Sequence, residues 1–120
     1  MAEFHQTGKK GEELALQHLR LEGYEILETN WHSSHREVDI IARLDEFLVV
    51  VEVKTRTTSR FGEPESFVNK TKQKHLIRAA NHYLLKHRLD LEVRFDIISV
   101  VIDQEDARLN HIPGAFSPGL

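Results

Sequence analysis

The sequence predicts one α/β domain with a mixed sheet, on three observations. Its 120 residues are the size of a single ordinary domain. Apolar periodicity switches along the chain between helical and strand spacing. The segments fall in the order α-β-β-β-α-β, with a further short strand near the end and no repeat, linker or low-complexity stretch between them.

The first helix is expected from about Gly8 to Glu22, with Ala15, Leu19 and Gly23 on one face and Leu16 beside them. Gly23-Tyr24 ends it, as glycine commonly does just past a C-terminus. Tyr24–Glu28 is a short strand candidate. Glu37–Leu44 and Phe47–Thr55 are the clearest strands, and Asp45-Glu46 between them reads as a hairpin turn. Leu48–Val51 is apolar on both faces, which suits a strand in the middle of a covered sheet. Arg56–Ser66, with Gly62 and Pro64, reads as a loop. Asn69–His87 is a long helix with Leu76, Ile77, Ala80, Tyr83 and Leu84 on its stripe. Arg94–Asp103 is a β-branched strand, Arg108–Ile112 a short partner for it, and Pro113–Leu120 a tail.

Composition narrows the function. Hydrophobic residues make up 40% and charged ones 29%, a globular balance, and no apolar run is long enough to cross a bilayer. Met1–Lys10 has no apolar signal region, so a cytoplasmic protein is expected. There is no cysteine, which excludes disulfides, thiol catalysis and cysteine-built zinc sites. The net charge of −3 hides an asymmetry: Phe67–Leu89 holds Lys70, Lys72, Lys74, Arg78, Lys86 and Arg88 and no acid. Either this is a solvated helix rich in lysine or it is a surface facing a polyanion.

Chemistry concentrates on the hairpin. Leu48, Val50, Glu52 and Lys54 share one face at period two, so a carboxylate and an ammonium end a Val-rich strand where desolvation is costly. On the other arm Glu37, Asp39 and Ile41 share a face. Turning at Asp45-Glu46, the hairpin sets Asp39 opposite Glu52. Facing carboxylates repel, and a hard divalent cation between them would turn repulsion into ligation, with oxygen ligands suiting magnesium or manganese. A structural ion pair with Lys54 is the plainer alternative. Glu12 lies on the Ala15–Leu19 face and should point at the sheet; Glu13 is its rival, one residue further round. His32 and His35 have no third or fourth ligand nearby and read as loop residues. His75, His82 and His87 on the basic helix read mostly as solvent-exposed, though His75 near Lys72 could touch phosphate. Asp96 is expected to pair with Arg94 or a helix residue. Trp31 and Tyr83 could stack a base but fit ordinary half-buried positions as well.

Several stretches carry a resemblance. Gly8-Lys9-Lys10-Gly11-Glu12-Glu13-Leu14-Ala15, Gly23-Tyr24, Glu37-Val38-Asp39-Ile40-Ile41, Val51-Glu52-Val53-Lys54-Thr55-Arg56, Phe61-Gly62, Lys72-Gln73 and Arg94-Phe95-Asp96 resemble the motif series of the YraN family. Those small bacterial proteins are assigned to the PD-(D/E)xK nuclease superfamily and are similar to archaeal Holliday junction resolvases. The resemblance runs from Gly8 to Phe116. It departs at Arg36, where the family usually has glycine.

The resemblance implies a restriction-endonuclease-like core over residues 1–120 and a metal-dependent DNA endonuclease, Holliday junction resolvase-like. Asp39 becomes the first acid of the superfamily motif, Glu52 the second, Lys54 its lysine, and Glu12 the helical acid of the resolvase-like branch. Asp39 and Glu52, with the main-chain carbonyl of Val53, would hold Mg²⁺ or Mn²⁺. Lys54 would orient the attacking water, and Arg56, Lys70, Lys72, Gln73 and Lys74 would contact backbone phosphates of DNA, linear or branched. A catalytically inactive nucleic-acid-binding module on the same fold is the rival, and hydrolysis of RNA or a small phosphorylated compound a third reading. Symmetric cutting of a junction suggests a homodimer, for which Phe47, Phe61, Phe67 and Phe116 are candidate contacts.

Overall fold

The computed structural model describes residues 2–57, 68–104 and 106–118, with side chains from Thr7 onward. The elements are α1 (Ala2–Leu21), β1 (Glu25–Ser33), β2 (Arg36–Leu44), β3 (Phe47–Arg56), α2 (Lys70–His87), β4 (Glu92–Asp103) and β5 (Asp106–Phe116). Their order is the one expected. The five strands form one mixed sheet in the order β1-β2-β3-β4-β5, antiparallel throughout except for the parallel β3–β4 pair, whose crossover carries α2. This is an α/β architecture of the restriction-endonuclease-like kind.

The two helices cover opposite faces, and β3 shows why its sequence is apolar throughout. Leu48 and Val50 join Ile41, Phe95, Leu76 and Tyr83 under α2, while Val49 and Val51 join Ile40, Ile98, Ala15 and Leu19 under α1. Four consecutive buried residues therefore serve two cores. Asn69 caps α2, its side chain accepting from the Lys72 N–H at 2.8 Å. Gly23, at φ 90°, closes α1 as expected.

Helix α1 is seated by small residues. Gly11, Ala15 and Leu19 form its buried stripe, and a Cβ on Gly11 would overlap the Thr55 side chain of β3. Gly11→Ala should therefore cost about 1–3 kcal/mol in urea unfolding, and adding Thr55→Ala should restore most of it. A Gly11→Ala protein as stable as the parent would mean that α1 does not lie this close to β3.

Several expected boundaries move. Helix α1 starts at Ala2, not near Gly8, and β1 runs on to Ser33, which places His32 in a strand rather than a loop. The first half of the expected tail, Pro113 to Phe116, belongs to β5, and Phe116 stacks on Phe95 with ring centroids 4.8 Å apart. Phe47 packs against the core under α1 and lies beside the Arg94 guanidinium. Both phenylalanines are thus engaged within the chain; Phe61 and Phe67, like most of the Arg56–Ser66 loop, lie outside the described residues.

Asp96 pins β4, β5, α1 and the start of β1 together. It is 1% exposed, and its carboxylate accepts two bonds from Arg94 at 2.9 and 2.8 Å, one from His111 Nε2 at 2.7 Å and one from the Gly114 N–H at 3.0 Å. Arg94 also donates to the Tyr24 hydroxyl at 2.6 Å. Burial pushes the Asp96 carboxyl up, but the bonds from His111, Arg94 and Gly114 outweigh it and hold the group below the ordinary carboxylate range. An ionised Asp96 only accepts, so His111 Nε2 carries a proton. His111 Nδ1 in turn lies 3.0 Å from His18 Nε2 on α1, a hydrogen bond between the two rings. The expected Arg94–Asp96 pair is present within this larger network.

Candidate active site

The β2–β3 hairpin has the register expected from its turn, Leu44 opposite Phe47 and Ile40 opposite Val51. The ladder ends there. One step further, at Asp39 and Glu52, side chains replace it: Asp39 Oδ2 accepts from the Val53 N–H at 2.8 Å. Val53 thus touches the site through its N–H, beside the carbonyl expected to help hold a cation.

The faces of β2 differ from simple alternation. Ile41 and Val38 both belong to the core under α2, although they are three residues apart, and Ile40 faces α1. On β1 the partner positions are Trp31 for Val38 and Thr29 for Ile40, with Asn30 between them at φ 49°. This local turn-over at Asn30 and Asp39 carries the strand pair from one face to the other. Asp39 sits at the change, where α1 and α2 can both reach it.

The acids gather around it. Glu52 is 14% exposed; its Oε2 lies 3.4 Å from Lys72 Nζ, and its Oε1 is buried with no hydrogen-bond partner. Burial, then the Asp39 charge, with a side-chain hydrogen bond to Asp39 adding to them, push Glu52 up to about 7 against a pull from Lys72. Burial also raises Asp39, partly opposed by the Val53 N–H. The facing pair therefore keeps a proton into the neutral range. Glu12 is raised by burial and by Asp39, and Asn30 hydrogen-bonds it. Glu13, its rival, is exposed. Glu37, which the sequence reading left out of the site, acts electrostatically on both Glu12 and Asp39.

The lysines divide. Lys54 is half-buried and shares the Glu52 face of β3, whose pairing with β4 runs unbroken past it. Arg56 is half-buried at the strand's end, and Lys70 and Lys74 are exposed on the first turns of α2. Lys72, expected on phosphate, points to Glu52. Gln73, also expected on phosphate, donates from its side chain to the Val68 carbonyl at 2.7 Å, just ahead of the Asn69 cap. Tyr83 is buried and donates to Glu28, which removes it as a base-stacking platform; Trp31 packs edge-on against it.

Two clefts flank the acids. One, of about 430 Å³, is lined by Glu12, Glu13, Lys9, Leu16, Thr29 and Asn30. The other, of about 230 Å³, is lined by Arg36, Glu37, Val38, Lys72, His75 and Leu76, with His35 at its side. Among the described residues no three His, Asp or Glu side chains converge as a finished metal cage. Two carboxylates with one unsatisfied buried oxygen nevertheless suit a cation of the magnesium type, which keeps several waters and takes few protein ligands. Among the described residues no helix is long and apolar enough to cross a membrane.

Fold and site together define a restriction-endonuclease-like α/β domain with facing acids at the end of a central hairpin. The chain belongs to the YraN family: uncharacterised protein family UPF0102 matches residues 11–100. A UPF0102 protein of Christiangramia forsetii is 48% identical over 116 residues, covering 97% of this chain and 98% of its own length. One of Bacteroides thetaiotaomicron is 43% identical over 120 residues, covering 100% and 99%. One of Thermodesulfovibrio yellowstonii is 41% identical over 111 residues, covering 92% and 96%.

Proposed function

We propose that the protein is a metal-dependent endonuclease acting on DNA, with Asp39, Glu52 and Lys54 as its chemical centre. The observation that carries this is Glu52: a half-buried carboxylate against Asp39, whose Oε1 is buried away from water and has no hydrogen-bond partner. Proteins rarely leave such a group unsatisfied except where something else completes it.

Asp39 and Glu52 would hold Mg²⁺ or Mn²⁺, which when bound supplies Lewis acidity and a readily ionised water. The Val53 N–H fixes the orientation of Asp39. Lys54 is suited to orient the attacking water and to stabilise charge developing on the phosphate. Glu12 faces the same acids from α1. Lys70 and Lys74 are suited to backbone phosphates, contacts that position a strand without reading its sequence. Branched DNA, and a homodimer to cut it symmetrically, are further parts of this reading.

Calorimetric titration of Mn²⁺ into the wild type and Asp39→Asn tests the centre. Binding by the wild type that Asp39→Asn lacks is expected, together with Mn²⁺-dependent cleavage of duplex or junction DNA; equal binding by both proteins would sink the assignment. The basic surface has its own test. Reversing Lys70, Lys72 and Lys74 to Glu should weaken DNA binding for all sequences alike and flatten log K against log salt by about 2–3. An unchanged slope would mean that α2 faces something other than DNA.

A second reading is a non-catalytic nucleic-acid-binding module. It draws on Lys72, which already offers Glu52 a positive charge at 3.4 Å. Such a module would bind DNA with no response to metal.

A further inference from the structure

Lys72 is held at one end and loose at the other. Its backbone N–H is fixed by the Asn69 cap of α2. Its side chain is 39% exposed, and its ammonium stands 3.4 Å from Glu52 Oε2, wider than the about 2.7–2.9 Å of a close charge-assisted bond. It satisfies one oxygen of Glu52 and leaves Oε1 without a partner. The same side chain lines the cleft that Arg36 and His75 border, so a Lys72 released from Glu52 remains beside the Arg36 guanidinium and the His75 imidazole, with Glu37 on the same wall.

We propose that Lys72 is an exchangeable counter-ion: it occupies Glu52 while the site lacks a divalent cation, leaves when one binds, and then joins Arg36 and His75 in holding a substrate phosphate. The inference rests on the metal-site reading above. It makes one lysine serve two states. Without metal, Lys72 offsets part of the cost of burying Glu52. With metal, two like charges would compete for one carboxylate, and the ammonium, on a flexible four-carbon stem, is the one that can move. Metal and phosphate binding then reinforce each other, since the cation frees the group the phosphate needs, and by linkage each ligand strengthens the other by the same factor.

Mn²⁺ calorimetry without DNA reads the competition directly, on the wild type, Lys72→Met, Lys72→Arg and Asp39→Asn. Lys72→Met removes the competitor and should bind Mn²⁺ about fivefold more tightly than wild type. Lys72→Arg keeps the competing charge and should stay near wild type. Lys86→Met, the same change of net charge at the far end of α2, controls for the general field. The second readout is affinity for a short DNA duplex with and without Ca²⁺, another hard oxygen-seeking cation. The wild type should gain affinity on adding Ca²⁺, and Lys72→Met should lose most of that gain.

If the wild type and Asp39→Asn take up Mn²⁺ alike, or neither does, the metal-site reading falls and this proposal with it. If Asp39→Asn loses Mn²⁺ but Lys72→Met binds it no more tightly than wild type, the metal site stands and the exchange is refuted. A full Ca²⁺-dependent gain in Lys72→Met would likewise overturn the lysine's second role.

Discussion

Glu52→Gln should make the metal-free protein more stable than the wild type above pH 7 while abolishing cleavage. The sign follows from the direction of the shift. Glu52 titrates near 7 in the folded chain, against an ordinary value of 4.5, because burial and Asp39 disfavour its charge. The folded state therefore holds this proton across a range where the unfolded chain has lost it. The group's contribution is whole below about pH 4.5 and is lost as pH rises through about 7, up to about 3 kcal/mol in all. Gln has nearly the same volume and no charge to desolvate. Urea unfolding in EDTA should show wild-type stability falling between pH 5 and 8 and a flatter Glu52→Gln. Cleavage by the variant should drop on the order of 10²-fold or more. A variant that matches the wild type in stability at pH 8, or in cutting, would show that Glu52 is neither strained nor chemically engaged.

Asp96→Ala should be the most damaging single change outside the acid cluster, at about 3–5 kcal/mol, or roughly 10–20 °C in Tm. The loss exceeds that of one hydrogen bond because the carboxylate gathers four, and its removal leaves the Arg94 guanidinium, 21% exposed, without its counter-charge. Asp96→Asn should cost less, since the shape and two acceptor bonds can survive. The acid side of the stability profile follows from the same network. The Asp96 pKa is depressed on folding, so its contribution is present above the ordinary carboxylate range and lost as pH falls through its lower folded value. Thermal denaturation of both variants, with activity measured beside it, checks the assignment. A loss under about 1 kcal/mol for Asp96→Ala would show that the four elements hold without their pin.

The hairpin was readable because its evidence is local. A two-residue turn and alternating apolar positions fix which residues oppose each other as far as Ile40 and Val51, and one step beyond that register Asp39 and Glu52 act on each other. The face that Asp39 takes was not readable. It depends on Asn30 adopting a left-handed conformation, which asparagine tolerates but no neighbouring residue announces. Pro113 and Gly114 hid the end of β5, since both usually signal a break. Here Gly114 turns at φ 60° and gives its N–H to Asp96. The His18–His111 contact joins residues 93 positions apart and leaves no periodic trace in the chain. Lys72 looked like its neighbours Lys70 and Lys74; only the packing of α2 over the sheet separates it from them.

The irregularities in β1 and β5 have a consequence beyond the groups they aim. These are the two edge strands of an open sheet, and a long regular edge is a template on which a second chain can add a strand. Neither edge is regular. β1 slips register between Ile26 and Glu28 and turns over at Asn30, while β5 contains Pro113, with no N–H to offer, beside Gly114 at positive φ. Bends that bring Asp39 between the helices and cradle Asp96 thus also interrupt the rows of backbone groups on which aggregation by strand addition depends.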